Sequence, residues 1–209
     1  MKNYTPYFNK AILFTLDNED SNWRTQPKLE NLGDGAGLTF MGLTQEDDEK
    51  LLPGGMMIED LATMYLNGSE EEREYALGLI TDIYYSEYWL VNRINAGYDN
   101  IESYKIACRL FDFGVNRGPI PAVTALQNAC NALTPSNLEL AADGLFGSKT
   151  LNRVNSLIRS YGEDKLYNAF VYQCRKQYSG LLESRNEQVR QTAQNSYQGW
   201  INRLEREIN

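Results

Sequence analysis

Near the start of the chain, Phe8, Ile12 and Leu16 recur at a spacing of four, with Ala11 beside them. The 3.6-residue period predicts a helix over residues 4–17. The pattern breaks at "DNED", and residues 18–44 hold Trp23, Pro27 and a run of glycines, so a loop with short strands is expected there. The segment "QEDDEKLLPGGMMIEDLATMYLNG" reads as two short helices interrupted at Pro53, Gly54 and Gly55. Ser69 followed by Glu70, Glu71 and Glu72 is an N-cap with first-turn acids. The helix it opens is expected to turn Tyr75, Leu79 and Ile83 inward and to end near "YYSEYW".

Residues 101–115 continue the helical pattern through Ile101, Tyr104, Ala107, Cys108, Phe111 and Val115. Gly118 and Pro119 punctuate it, and residues 120–133 form the next helix through Val123, Leu126, Ala129 and Leu133. A turn-rich connection over 137–147 leads to helices at 148–161, 163–183 and 194–206. There is no internal repeat and no low-complexity linker. The expected class is mainly α (α+β), with one small β element near residues 30–44.

A chain of 209 residues with 42% hydrophobic and 23% charged residues is long enough for a sizeable core. The net charge of −8 argues against nucleic acid and against an anionic membrane surface, and favours a neutral or cationic partner. The chain has no histidine, which excludes Ser-His-Asp and Cys-His catalysis and the usual zinc sites. Any proton transfer must use carboxylates, Lys, Tyr or Cys. Cys108, Cys130 and Cys174 are far apart and set among apolar residues, as small buried hydrophobes of a reduced protein are. The N-terminal apolar run is too short for a signal-peptide core and no stretch reaches membrane-spanning length, so synthesis in the cytoplasm without membrane insertion is expected.

The glycine cluster lies in "NLGDGAGLTFMGLTQ", around Asp34 and Thr39. Glycines there permit a tight hairpin and a close backbone approach to a ligand. Glu19, at the end of an apolar helix, has rigidity and partial burial; Asp34, in a turn, stays wet; Thr39 adds an oxygen suited to holding a water. Cleavage of a glycosidic bond needs one carboxylic acid to protonate the leaving oxygen and a second group to activate water. Taken singly, Glu19 also reads as a solvated helix terminus and Asp34 as a turn former.

These residues resemble a known family. "ILFTLDNED…GDGAGLTFMGLT" is similar to the motif of the glycoside hydrolase family 108 muramidases, phage endolysins among them, in which E-G-G-Y leads to D-P-G-G-x-T-x-x-G-I-T. Glu19 takes the glutamate position; Asp34, Gly37, Thr39, Gly42 and Thr44 match; Leu43 replaces Ile. Downstream, "IYYSEYW", "FDFGVNRGPIPAVTALQNACN", "DGLFGSKT" and "GWINR" resemble further blocks of that family in order, the third belonging to its peptidoglycan-binding half. Asp20 and Ser21 stand in place of the E-G-G-Y glycines, and the 15 positions from Glu19 to Asp34 are a longer gap than that family's. A second resemblance is to the family 46 chitosanases, through "NED…NW…LENLGDGAGLT", with Ala36 where that family has Arg.

The resemblance implies a single lysozyme-like domain over 1–209: a helical bundle lobe, a small β-hairpin lobe and an intervening cleft. Residues 1–100 would be the catalytic part, with the hairpin at about 30–44, and 101–209 a helical, peptidoglycan-binding-like part. It implies Glu19 as acid, Asp34 as base or electrostatic stabiliser and Thr39 as water holder. Trp23, Gly37, Phe40, Asn116 and Arg117 are the expected substrate contacts, with no metal and no cofactor. Asn116 and Arg117 equally suit a helix C-terminus, and Trp89 and Trp200 suit either sugar stacking or core. The expected activity is peptidoglycan hydrolysis at the β-1,4 bond after N-acetylmuramic acid. The alternatives are a chitosanase-like hydrolase and a non-catalytic wall-binding or virion protein. A protein acting on the periplasmic wall without a signal peptide would need a pore-forming or secretion partner.

Overall fold

The computed structural model describes residues 4–31, 37–45, 51–90 and 97–208. The chain divides into two compact units, 1–87 and 88–209. Eight α-helices and one three-stranded antiparallel sheet are present among the described residues, which is the mainly α class with a small β element.

In the first unit, α1 (Pro6–Glu19) starts where the Thr5 side chain accepts the Phe8 N–H at 3.3 Å and Pro6 occupies the first turn. Its buried face is Phe8, Ala11, Ile12 and Leu16, the stripe the spacing predicts. Each of the larger three stabilises the unit by about 1.5–3 kcal/mol on burial. The helix stops at Asp20, whose carboxylate accepts the N–H groups of Asn22 and Lys28 at 2.8 and 2.9 Å and so turns the chain toward the sheet. Strands β1 (Leu29–Asn31), β2 (Leu38–Phe40) and β3 (Leu43–Thr44) pair in sequence order, with Glu30 opposite Thr39, Leu29 opposite Phe40 and Thr39 opposite Thr44.

Helix α2 (Ile58–Asn67) packs on β2, bringing Tyr65 edge-on to Phe40 with ring centroids 5.9 Å apart. The break at Pro53–Gly55 is a 3-10 turn with both glycines at positive φ; the expected helix before it falls largely outside the described residues. Helix α3 (Glu70–Tyr84) opens on a capping box in which Ser69 and Glu72 satisfy each other's backbone N–H groups. Its inward face differs from the spacing-four reading. Ile83 is buried as expected, but Tyr75 is 52% exposed and Leu79 only half-buried, and Ala76, Ile80 and Tyr84 complete the buried face. The 75-79-83 and 76-80-84 stripes are neighbours on one helix, and the buried face follows the second together with Ile83. The helix continues as a π-helical segment over Tyr85–Trp89.

The second unit contains α4 (Tyr104–Arg117), α5 (Pro119–Ala132), α6 (Ser148–Tyr161), α7 (Glu163–Leu182) and α8 (Glu187–Glu205). Gly118 at φ 92° ends α4 and starts α5 in one residue. Helix α8 begins earlier than its apolar pattern predicts, because its first turns are polar and Asn186 caps it by accepting the Val189 N–H at 3.2 Å. Trp89 is core: it is fully buried, packs edge-on against Phe111 and Tyr98, and donates its indole N–H to Asp99 at 2.9 Å. Trp200 is half-buried and stacks on Tyr178 at 4.9 Å.

A buried charged network ties α4 to α7 and α8. Arg109 is fully buried and donates to Tyr167 and to the backbone carbonyls of Arg203 and Arg206, while Asp112 accepts from Arg109 at 3.3 Å and from Arg203 at 2.8 Å. Removing one partner strands buried cations. Asp112→Ala is therefore expected to lower unfolding free energy by about 3–5 kcal/mol, read by chemical denaturation.

The three cysteines are free and buried. Burial pushes the thiols of Cys108 and Cys130 up to about 12 and that of Cys174 well above its usual value. The thiolate is the nucleophile, so the folded protein is expected to resist a thiol reagent at neutral pH and to expose all three thiols in denaturant. Stoichiometric labelling of the folded chain would contradict the packing.

Candidate active site

The end of α1 and the sheet face each other across a cleft of about 260 Å³ lined by Glu19, Lys28, Glu30, Thr39, Met41 and Gly42, among others. Glu19 reaches it as the last residue of α1; the residue is half-buried, and its Oε1 is out of contact with solvent. Thr39 reaches it through strand alternation. Its neighbours Phe40 and Leu43 are buried in the core, so the period of two turns Thr39 and its cross-strand partner Glu30 to the other face.

The β2–β3 connection is the two-residue turn Met41–Gly42, with φ of 49° and 84°. Positive φ at both positions is the hairpin geometry that matches strand twist. Met41 is a non-glycine residue at positive φ, and its side chain is buried at 2% exposure. At Gly42 the requirement is also spatial. A Cβ there would lie 2.2 Å from the Tyr84 hydroxyl oxygen, 3.1 Å from Glu19 Cγ and 3.2 Å from Glu19 Oε2. Tyr84, itself fully buried, donates to the Met41 carbonyl at 2.9 Å. Helix α3 thus holds the turn, and the turn lies against the side chain of Glu19. The chemistry available is a half-buried carboxylate on one wall and a wet carboxylate with a hydroxyl on the other.

The other expected site residues fall in several places. Asp34 lies outside the described residues. Gly37, at φ 82°, makes room for Gln45: a Cβ would meet Gln45 Oε1 at 2.2 Å, and that oxygen accepts the Leu38 N–H at 2.8 Å. Gln45 in turn donates to Glu59 at 3.0 Å, so the glycine serves the hairpin's own hydrogen bonding. Phe40 is fully buried, and a side chain in the core does not present its ring to a ligand. Trp23 is 6% exposed, donates its indole N–H to Asp17 at 2.7 Å, lies under the Arg24 guanidinium and is not part of the Glu19 cleft.

Asn116 and Arg117 belong to the second unit, in the last turn of α4, where Arg117 complements the helix dipole. Asn116 accepts the Tyr178 hydroxyl at 2.6 Å. Lys28 and Glu30 are cleft residues that the sequence pattern did not single out. A three-residue strand is too short to display its alternation.

The second unit has a larger groove, about 660 Å³, between the first turn of α5, the 139–147 connection and the start of α6. Exposed Ile120 and Leu145 form apolar edges, with Glu139, Asp143 and Lys149 around them. Its floor is set by buried Gln127. The Gln127 amide donates to Asp143 at 2.8 Å and to Thr150 at 3.2 Å, and its oxygen accepts the Gly144 N–H at 2.9 Å. The "DGLFG" stretch therefore forms a loop pinned onto α5, and "SKT" after it opens α6.

Residues 121–205 match a family described as "Predicted Peptidoglycan domain". The matched stretch runs from the first turn of α5 to the end of α8 and includes the pinned loop. It is similar to a peptidoglycan-related domain. No curated protein matches the chain.

Gly42→Ala is expected to destabilise the protein by about 1–3 kcal/mol through left-handed strain and the clash with Tyr84. In a Tyr84→Phe background the clash is relieved, so the same substitution should cost less. Equal cost in both backgrounds, measured by denaturation in a double-mutant cycle, would contradict the close approach.

Proposed function

We propose that the protein is a peptidoglycan hydrolase of the muramidase type, cleaving the β-1,4 bond between N-acetylmuramic acid and N-acetylglucosamine. The observation that carries this reading is the meeting of Glu19 and Thr39 in one cleft beneath the Met41–Gly42 turn. The similarity of residues 121–205 to a peptidoglycan domain supports the substrate. The resemblance of the Glu19-to-Thr44 segment to muramidases supports the reaction.

In this mechanism Glu19 protonates the glycosidic oxygen as the bond to C1 breaks. A water held by the Thr39 hydroxyl adds to C1 from the sheet side, and a carboxylate takes its proton; the resemblance assigns that role to Asp34. An inverting course is the reading in which the water held by Thr39 approaches C1 from the face opposite Glu19. It requires carboxylates about 6.5–9.5 Å apart, against about 5–5.5 Å for retention. The groove of the second unit would hold the wall polymer.

The test is mass spectrometry of borohydride-reduced fragments released from purified peptidoglycan. The wild type should release fragments with reduced muramic-acid ends, and Glu19→Gln should be slower by about 10²–10⁴-fold. Equal release by both would overturn the role of Glu19. Release from chitosan alone would favour the chitosanase reading, which the net charge of −8 suits. Wall pull-down without any fragments would favour a binding protein. For the groove, the pair Ile120→Asp and Leu145→Asp is expected to weaken wall pull-down by roughly tenfold, the loss of about 1.4 kcal/mol of apolar contact.

A further inference from the structure

We propose that Glu30 is the second catalytic carboxylate of the Glu19 cleft and takes the proton of the attacking water. This rests on the hydrolase reading above and replaces its assignment of the base. Glu30 stands directly opposite Thr39 in the β1–β2 register, and both side chains line the cleft that holds Glu19. Directly paired strand residues have Cβ atoms about 4.5–5.5 Å apart, close enough for a carboxylate and a hydroxyl to share one water.

The two glutamates sit in contrasting environments. Glu19 is half-buried at the end of a rigid helix, whereas Glu30 is exposed, and among the described residues no side chain forms an ion pair with it. A general acid and a general base working together need that difference.

Glu30 also sits where the cleft continues. Asn22, Lys28 and Glu30 border a second depression that runs along Thr25, Gln26 and Pro27. The two together form a track along the 22–30 loop, and a glycan lying in it would pass the Glu30 carboxylate between its sugars.

The step balances as an addition of water. The C1–O bond breaks and its electron pair takes the Glu19 proton; the water oxygen bonds to C1 and gives a proton to Glu30. Proton return from Glu30 to Glu19 through solvent resets the site.

The test uses the full chain, purified peptidoglycan glycan strands and sodium azide, with Glu30→Ala, Glu30→Gln and Asp34→Ala compared after their melting curves are matched to the wild type. Glu30→Ala and Glu30→Gln are expected to lose about 10²–10⁴-fold in turnover, the range of general base catalysis. Azide, which attacks C1 without a base, should restore turnover to Glu30→Ala and leave a glycosyl azide at the new chain end, seen by mass spectrometry. A purely structural Glu30 would give no azide product.

Wild-type turnover by Glu30→Ala, a loss that azide does not rescue, or azide rescue of Asp34→Ala alone would each overturn the proposal. All three leave the hydrolase reading standing. A wild type that releases no glycan fragments, or a Glu19→Gln protein equal to it, overturns that reading itself.

Discussion

The absence of a side chain at Gly42 is the constraint on which the candidate site depends. Three elements distant in sequence converge on that point: the last turn of α1 through Glu19, the last turn of α3 through Tyr84 and the β2–β3 turn itself. The hydroxyl of Tyr84 fixes the turn by bonding the Met41 carbonyl, and the turn then covers one side of the Glu19 side chain. A methyl group at that position would lie 2.2 Å from the Tyr84 hydroxyl and 3.1 Å from Glu19 Cγ, so the hydroxyl that holds the turn would have to shift. The sheet depends on the same anchor, since strands of two or three residues have little stability of their own. Buried Phe40 and Leu43 on its inner face, the former packed against Tyr65 of α2, supply the remainder.

Much of this was legible in the sequence. The stripe of Phe8, Ile12 and Leu16, the Ser69 cap and the punctuation at Gly118 and Pro119 are local signals, and they place helices where the structure has them. A spacing of four puts Tyr75 inward, one position from the buried Ala76, because periodicity locates a stripe but does not weigh a small Ala76 against a large Tyr75. The start of α8 was hidden because a polar, solvent-facing turn carries no apolar period and only Asn186 marks it.

The site was partly legible. Glu19 and Thr39 could be named from the glycine-rich hairpin and the helix before it, and they line one cleft. Trp23 and Phe40 could not be told from ligand contacts by residue type. Aromatic rings suit a sugar face and a protein core equally, and here both rings are buried. Glu30 carries no sequence signal because its pairing with Thr39 is set by strand register, which a three-residue strand does not declare. Asp20, which stands where a glycine was expected from the resemblance, has a structural task in pinning the N–H groups of Asn22 and Lys28.

The proposed hydrolase requires the wall glycan to lie in the cleft between α1 and the sheet. The most direct measurement is a titration of isotope-labelled protein with a tetrasaccharide of alternating N-acetylglucosamine and N-acetylmuramic acid, followed by amide and indole nuclear magnetic resonance. Binding there is expected to shift the amides of Glu30, Thr39 and Gly42 and to leave the indole signals of the buried Trp23 and Trp89 unmoved. Shifts confined to the groove beside Ile120 and Leu145, with the amides of the hairpin unchanged, would contradict it and leave a wall-binding protein without a glycan site at Glu19.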